Sequence, residues 1–308
     1  MPEYRVACVI PTHLRPALLS EALECVLGQQ FDHSLATIVV DDAADSSTRE
    51  VAERFAGVQD RPVMYLARSD GRPGASASRN AGASRSVVDS ELLAFLDDDD
   101  LWTPNFLADA VRAFEANPDA AMVVSGLDVR SRDGSVQSLA RIPEGLHFRQ
   151  VSRDNPGFTG SNFVMRRESF DAIGGFDTEL SVSNDKDLLV RFLRHGYTYV
   201  ALPDGHVQHR HHDGERLTDL DERRADGLVR YVRKHRDNMP LADNLMLRSR
   251  ARMIRSRVAS RTTRRLAHAA VAVVLRGCSI ALRSVTRANG ERVDRSTQPD
   301  SKVVRHHE

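Results

Sequence analysis

Two clusters of carboxylates follow apolar segments of the chain and indicate where its chemistry lies. Four aspartates, 97–100, come directly after the apolar run 92–96, and Asp41 and Asp42 come directly after 37–40. Adjacent carboxylates raise one another's pKa, so they stay ionised together only where water solvates them or a cation neutralises them. Hard divalent ions take oxygen ligands and also bind phosphate oxygens, so these clusters are typical of a site for a metal-bound diphosphate. The alternative is a solvated acidic loop, or a helix start where aspartate favours the N-terminal dipole.

The elements around the clusters alternate between short strands and amphipathic helices. Strands are predicted at 5–10, 37–40, 63–66, 92–96 and 122–125. Helices are predicted from the spacing of Leu14, Leu18, Ala22 and Val26, from a Ser47–Glu50 capping box, and from the apolar face Phe106, Leu107, Ala110, Val111 and Phe114 behind a Thr103 cap and Pro104. This alternation predicts an α/β fold with a mainly parallel sheet covered by helices on both faces. Ligands bind beyond the carboxyl ends of strands in such sheets, so both acid clusters should rim one crevice.

Seven motifs, taken in order, resemble the signature of one enzyme family. They are PTHLRP (11–16), IVVDDAADSS (38–47), GASASRNAG (74–82), FLDDDDLWTP (95–104), GSNFVMRRESFDAIGGFD (160–177), SNDKDLLVRFLRHG (183–196) and HRHHDGERLT (209–218). Their order and spacing resemble family-two glycosyltransferases, which are nucleotide-sugar enzymes of the GT-A fold, Rossmann-like with a mainly parallel sheet. The resemblance covers residues 1–218.

The resemblance implies a donor pocket and a metal site. The matching donor-binding positions are Pro11, Thr12, His13, Arg15, Asp41, Asp42, Arg79, Asp98 and Asp99. The matching ligands for Mn²⁺ or Mg²⁺ are Asp98, Asp99, Asp100 and His212. Asp42 would accept a hydrogen bond from the nucleotide base, and Arg79 would face the diphosphate. Asp41 could bind the donor or could instead have a structural role. His13 and Leu14 replace the family's usual Tyr-Asn pair, so the residues leave the base open, and UDP is implied by the resemblance alone.

Sugar transfer also needs a base that removes the proton of the acceptor. In NDKDLLVRFLRHG, apolar residues at helical spacing predict a helix that ends at Gly196, with Asp185 at its start and Asp187 on a different face. The resemblance makes Asp185 the base, and the alternative is that it caps the helix. Asn184 replaces the usual glutamate of the family. The positions implied on the acceptor side are Trp102, Gly160, Ser161, Asn162 and Asn184, and Trp102 could equally be a core residue. We expect His209 and His211 to be uninvolved.

Charge divides the 308-residue chain into two regions. Residues 1–218 carry 22 Lys+Arg and 33 Asp+Glu, net −11, and 219–308 carry 21 and 10, net +11. This predicts a catalytic domain at 1–218, a basic helical extension at 219–290 and a disordered tail at 291–308. Three cysteines without metal-binding spacing predict neither a disulfide framework nor zinc.

The basic extension leaves three kinds of partner to consider. Eleven arginines and no acid lie between 247 and 288. Such a helix could lie on an anionic membrane. It could also dock on the acidic domain or pair with a second copy of the chain, and we rank these two possibilities first. Nucleic acid is not expected, because no aromatic interleaving accompanies the arginines. The longest apolar run, 269–275, is shorter than the ~20 residues that cross a bilayer, and the N-terminus has no signal-peptide pattern. The prediction is a cytoplasmic protein, with peripheral contact at the inner membrane face as the variant.

These features combine into one functional hypothesis with two alternatives. The hypothesis is a metal-dependent, inverting glycosyltransferase that takes a nucleotide-sugar donor and an acceptor such as a glycan, a lipid-linked glycan or a small-molecule natural product. The first alternative is Mg²⁺-dependent phosphoryl transfer or phosphatase chemistry. It is disfavoured because Leu101 and Trp102, rather than threonine or serine, follow the acids, and Lys186 is the only lysine in 1–218. The second is a non-catalytic binding module for a sugar nucleotide or a lipid surface, which the intact acids argue against.

Overall fold

A computed structural model describes residues 2–57, 61–69, 74–130, 136–210 and 221–296. The chain divides into two compact units, Met1–Asp219 and Leu220–Glu308. The boundary predicted at 218 lies outside the described residues and stays a prediction.

The described part of the first unit contains a nine-stranded sheet. Its strands are β1 Tyr4–Thr12, β2 Leu35–Asp41, β3 Val63–Ala67, β4 Ser90–Phe95, β5 Asp100–Trp102, β6 Ala120–Arg130, β7 Val136–Ala140, β8 Phe163–Arg166 and β9 Thr198–Arg210. The order across the sheet is β3-β2-β1-β4-β8-β6-β9-β5, and β7 pairs with β6. Strands β1 to β4 pair in parallel, as predicted. Strand β8 is antiparallel to β4 and β6, and β5 is antiparallel to β9, whereas β6 and β9 pair in parallel, so the sheet is mixed.

Helices cover both faces of this sheet, which confirms the predicted α/β fold. They are α1 Pro16–Leu27, α2 Ser46–Phe55, α3 Ala75–Gly82, α4 Phe106–Ala116, α5 Phe148–Val151, α6 Arg167–Ala172 and α7 Asn184–Arg194. Side chains alternate between the two faces along a strand. In β4, Leu92 and Ala94 pack with α1, α2 and α4, whereas Leu93 and Phe95 pack with α6 and α7. The sheet is therefore a buried layer whose carboxyl edge carries the loops with the acids.

Three local predictions about helix starts were wrong. Helix α1 begins at Pro16, and Leu14 lies outside it with a positive φ and a 57% exposed side chain. Asp45 caps α2, because its carboxylate accepts a hydrogen bond of 2.9 Å from the Thr48 amide. The cap position of α4 is Asn105, and the Thr103 hydroxyl instead lies 2.7 Å from Nδ1 of His206. The apolar face predicted for α4 is buried as expected.

The second unit is helical in its described part. It contains α8 Glu222–His235, a 3-10 turn Arg236–Asn238, α9 Leu241–Val258 and α10 Thr262–Ser296. Helix α10 extends to Ser296 and so overlaps the first residues of the tail predicted at 291–308, whose disorder stays a prediction; 297–308 lie outside the described residues.

One segment of α10 is a candidate membrane span by its length and composition. Among the described residues, the 23-residue segment Thr262–Ser284 is long and apolar enough to cross a bilayer on those two criteria alone. The longest uninterrupted apolar run, 269–275, does not indicate this segment, because Arg276 ends the run although the helix stays largely apolar beyond it.

Candidate active site

The loop after β1 and the acids after β4 meet at the carboxyl edge of the sheet. Strands β1 and β4 are parallel neighbours, so their ends lie side by side. The Thr12 hydroxyl donates a hydrogen bond of 2.8 Å to Oδ2 of Asp98, and Nη1 of Arg15 lies 3.2 Å from oxygens of both Asp98 and Asp99. Burial, partly opposed by the Thr12 hydrogen bond, raises the pKa of the Asp98 carboxyl to about 6. The loop after β1 therefore lies against the acids after β4, and a crevice shared by both acid clusters stays a prediction.

Three of the four consecutive aspartates converge. Oxygen atoms of Asp97, Asp99 and Asp100 all lie within 4.8 Å of one another. The reason is a turn at residues 98–99, which the amide of Asp100 closes with a 3.0 Å hydrogen bond to the carbonyl of Asp97. The predicted metal ligands omitted Asp97 and included Asp98, which faces Thr12 and Arg15 instead. The ligand role of Asp98 stays a prediction, whereas Asp97 joins the candidates.

This set of acids suits a divalent cation. Mg²⁺ and Mn²⁺ prefer carboxylate oxygens, which are the atoms that converge here. Four carboxylates, Asp97, Asp98, Asp99 and Asp185, pair with two arginines, Arg15 and Arg79, at this edge, and Asp100 pairs with His209. Burial is the main reason why the pKa values of Asp98, Asp100 and Asp185 are raised, and repulsion between neighbouring carboxylates adds to it. A bound cation would offset that repulsion.

Asp185 points at the same cluster from α7, on the other side of Arg79. Its Oδ1 lies 3.6 Å from Nη1 of Arg79, and its side chain is 25% exposed. Burial, opposed by Arg79 and reinforced by Asp97 and Asp100, raises the pKa of the Asp185 carboxyl to about 6. The α7 cap is Ser183, so Asp185 is not the cap. Asp187 is fully buried and accepts a 2.8 Å hydrogen bond from Arg191, which confirms that the two acids face different directions.

Arg79 joins the two acidic groups. Its guanidinium forms an ion pair with Asp97 on one side and faces Asp185 on the other, with only 3% of the side chain exposed. It also lies 5.0 Å above the ring of Phe176. Nε and Nη1 of Arg79 and Oδ1 of Asp185 are buried and have no hydrogen-bond partner among the described residues. Nη1 of Arg79 and Oδ1 of Asp185 face each other at 3.6 Å, and since buried polar atoms are nearly always paired, water or a ligand would complete their hydrogen bonds.

The second acid cluster, Asp41 and Asp42, contains the other predicted donor-binding acids. Asp42 accepts a 2.7 Å hydrogen bond from the Gly74 amide and lies 2.6 Å from Nδ1 of His13, which is 55% exposed. Asp41 is fully buried and accepts hydrogen bonds from the amides of Ala43 and Asp45 and from the Tyr65 hydroxyl. Asp41 thus shapes the turn into α2. Pro11 is buried within β1. The donor role of each of these residues stays a prediction.

The residues predicted on the acceptor side lie mostly behind the acids. Ser161 accepts a 3.0 Å hydrogen bond from the Asp97 amide with its hydroxyl, and its carbonyl accepts one from Nε1 of Trp102. Asn162 is fully buried, with its amide bonded to the backbone of Ser125, Gly157 and Thr159. The buried Trp102 ring packs against Phe106 in the core.

The other two predicted acceptor positions, Asn184 and Gly160, lie next to Asp185 and Arg79, respectively. Asn184 donates a 2.8 Å hydrogen bond to the Ser76 hydroxyl and accepts one from the Asp185 amide. Gly160 lies against the Arg79 guanidinium. For all five residues, contact with an acceptor stays a prediction.

A histidine that was expected to be uninvolved belongs to this site. Nδ1 of His209 lies 2.8 Å from Oδ1 of Asp100, because Asp100 and His209 are direct partners in the β5–β9 pair. Burial raises the pKa of Asp100, and His209 opposes that shift. In the sequence, this contact could have been found only from the register of β5 against β9, two strands that lie far apart along the chain. His212, the histidine predicted as a ligand, and His211 lie outside the described residues.

The pKa of Asp185 predicts how a substitution changes stability. Without metal, Asp185→Asn should raise the unfolding free energy near pH 7, by at most about 3 kcal/mol for a folded pKa of about 6 against 3.8. The folded state binds this proton more tightly, so wild-type stability falls as pH rises from about 4 to about 6, and the variant escapes that loss. Denaturant unfolding with a chelator at both ends of this range measures the gap, which should close at low pH. The exposed Asp171→Asn is the control, and a gap that widens at low pH contradicts the assignment.

The fold and this carboxylate-rich edge define the class of protein, a glycosyltransferase of the GT-A type. Residues 7–174 match the family described as Glycosyl transferase family 2, and the chain belongs to that family. Among curated proteins it is 30% identical over 194 residues to the glucosyl-dolichyl phosphate glucuronosyltransferase of Haloferax volcanii. That match covers 59% of this chain and 59% of the relative, so the chain spans about three fifths of that protein.

Two solved structures show the same fold. One is S. aureus TarS 1-349 in complex with UDP-GlcNAc, with a TM-score of 0.58 and 16% identity over 83% of this chain and 73% of that chain. The other is the mannosyltransferase PcManGT from Pyrobaculum calidifontis in complex with GDP-Man and Mn²⁺, with a TM-score of 0.55 and 20% identity over 95% and 82%. These likenesses confirm the predicted GT-A fold.

Proposed function

We propose that this glycosyltransferase moves a sugar from a nucleotide diphosphate donor, UDP-linked, to a hydroxyl or amine of its acceptor, with inversion at the anomeric carbon. One observation carries the proposal: the converging acids Asp97, Asp99 and Asp100 and the separate carboxylate Asp185 lie on either side of one buried arginine, Arg79. Single displacement needs a place for the diphosphate and, apart from it, a base for the acceptor. This arrangement supports both roles.

The chain's own residues divide the work as follows. Asp97, Asp99 and Asp100 would hold Mn²⁺ or Mg²⁺, which when bound neutralises charge on the departing diphosphate. Arg79 adds a fixed positive charge beside the same group. Asp185 takes the proton of the acceptor as its lone pair forms the new bond to the anomeric carbon, and the bond from that carbon to the diphosphate oxygen breaks.

Complexes of the two structural neighbours support a nucleotide-sugar donor and a divalent ion, whereas the choice of uridine rests on the family resemblance. TarS binds UDP-GlcNAc and PcManGT binds GDP-Man with Mn²⁺, so both uridine and guanosine donors occur on this fold. The Haloferax relative acts on a dolichyl-phosphate-linked sugar, which favours a lipid-linked glycan over a small-molecule natural product as the acceptor.

A thermal-shift screen of nucleoside diphosphates and their sugars, with and without Mn²⁺, tests the donor. The correct donor should stabilise the folded state by about 2.7 kcal/mol at a roughly hundredfold excess over its dissociation constant, and only when Mn²⁺ is present. The control is Asp99→Ala, which should lose the Mn²⁺-dependent part of the shift. A flat response of the wild-type protein to every nucleotide contradicts the proposal.

A further inference from the structure

Helices α9 and α10 form an antiparallel pair that fixes which side of α10 faces inward. Three serine hydroxyls donate hydrogen bonds across the pair: Ser249 to the Ala272 carbonyl at 2.7 Å, Ser256 to that of Arg265 at 2.9 Å, and Ser279 to that of Ala242 at 2.6 Å. The contact positions on α10, namely 265, 272 and 279, repeat every seven residues and so lie on one face. Ala272 and Ser279 are fully buried there.

The opposite face of α10 is apolar although it is exposed. Leu266, Val273 and Val274 are 66%, 65% and 63% exposed, and Val271 and Ile280 are also exposed. At 3.6 residues per turn, the outward positions between 262 and 284 span an arc of about 180° that contains no charged residue. A soluble helix normally presents the reverse pattern, with polar residues outward. This uncharged face, defined by the five residues just named, therefore has an unassigned partner.

Arginines surround the uncharged face. The exposed arginines of α9, α10 and the turn between them are Arg248, Arg250, Arg257, Arg261, Arg264, Arg265 and Arg276. Of the exposed arginines on α10, Arg264 borders one side of the arc and Arg276 lies nearest to the other, whereas Arg265 belongs to the face that meets α9. An apolar face bordered by arginines matches the surface of an anionic membrane, where the apolar side chains enter the acyl boundary and the guanidinium groups meet lipid phosphates.

We propose that the uncharged face of α10 docks in the plane of an anionic membrane. A second copy of this chain fits less well, because it would bring the same eleven arginines of 247–288, without an acid among them, against these. A transmembrane arrangement also fits less well, because α9 covers the inward face of α10 and would carry its own arginines into the hydrocarbon. This inference concerns the second unit and is independent of the donor and metal proposed for the first.

Vesicle co-sedimentation of the full chain tests the proposal. The protein should bind vesicles of phosphatidylcholine mixed with phosphatidylglycerol, bind phosphatidylcholine alone at least about tenfold more weakly, and be released by high salt, which screens the arginines. The double variant Val273→Gln/Val274→Gln should weaken binding by about tenfold or more, since two valines no longer enter the apolar layer. The matched control is Val136→Gln, a similarly exposed valine of the first unit, which should bind as the wild type does.

Three outcomes would overturn this docking surface. The first is that no binding to the anionic vesicles occurs. The second is a bound fraction that resists high salt, which identifies a transmembrane helix. The third is a concentration-dependent dimer, without vesicle binding, that the double variant abolishes, which assigns the face to a second copy. Should the double variant unfold, Arg264→Gln/Arg276→Gln tests the same surface through its charge and should reduce binding to the anionic vesicles alone.

Discussion

Asp185→Asn is expected to reduce turnover by about 10³-fold while Mn²⁺-dependent nucleotide binding stays within about twofold of the wild type. Loss of a general base typically costs between about 10² and 10⁴ in rate. Asparagine preserves the size of the side chain and its place 3.6 Å from Arg79, but it cannot accept the proton of the acceptor. Steady-state kinetics with the donor found by thermal shift measures the first quantity, and nucleoside diphosphate titration measures the second.

The pH profile separates a base from a merely structural carboxylate. Wild-type turnover should rise with pH up to about 6, because only the ionised Asp185 accepts a proton, and its pKa is raised to about 6. A bound cation opposes the repulsion from Asp97 and Asp100, so this acid limb lies at or below pH 6. The limb should be absent from the residual activity of the variant. The control Asp171→Asn keeps both rate and profile, and an Asp185→Asn enzyme with near wild-type turnover would remove Asp185 from the reaction.

Stability and activity should respond to this substitution in opposite directions. The carboxylate that is placed to take a proton is also one whose charged form burial disfavours, which is why its pKa lies near 6. The same variant is therefore expected to be more stable without metal and about 10³-fold less active with it. A structural acid behaves differently. Asp187 is fully buried but paired with Arg191, so removing its charge would leave an unpaired arginine and lower stability.

The parallel part of the fold could be predicted because its signals are local. Strands β1 to β4 are apolar runs bounded by polar loops, and parallel pairing brings their carboxyl ends to one edge. The placement of the acids at 41–42 and 97–100 follows directly from that pairing. Likewise, helical geometry alone separates Asp185 from Asp187.

The other part of the site depends on contacts that no local pattern contains. Asp100 meets His209 through strand pairing, and Arg79 meets Asp185 through the packing of two helices. The choice between Asp97 and Asp98 depends on where a turn falls within four identical residues, and no neighbouring residue type indicates its position. Antiparallel β8 was not predicted either, because its apolar run is short and its partners are β4 and β6.

Gly160→Ala should reduce turnover by about 100-fold, although Gly160 belongs neither to the 97–100 cluster nor to the helix that carries Asp185. A Cβ at this position would lie 2.1 Å from Nη2 and 2.6 Å from Cζ of Arg79, much closer than any real contact. The guanidinium is buried against Phe176 and held by Asp97, so it must shift and pull away from at least one carboxylate. A displacement of about 1 Å in a catalytic constellation costs on the order of 10²-fold in rate.

The matched control for this substitution is Gly57→Ala, because a Cβ at Gly57 meets nothing within 4 Å. It should leave turnover and stability close to the wild type. For Gly160→Ala, thermal unfolding should show a loss of stability as well, on the order of 1–3 kcal/mol, from overpacking and the weakened buried ion pair. The acid limb of its pH profile should also move, since the positive charge of Arg79 lowers the pKa of Asp185. Wild-type kinetics in Gly160→Ala would mean that Arg79 can relax without cost, and that its position between Asp97 and Asp185 is not what the reaction requires.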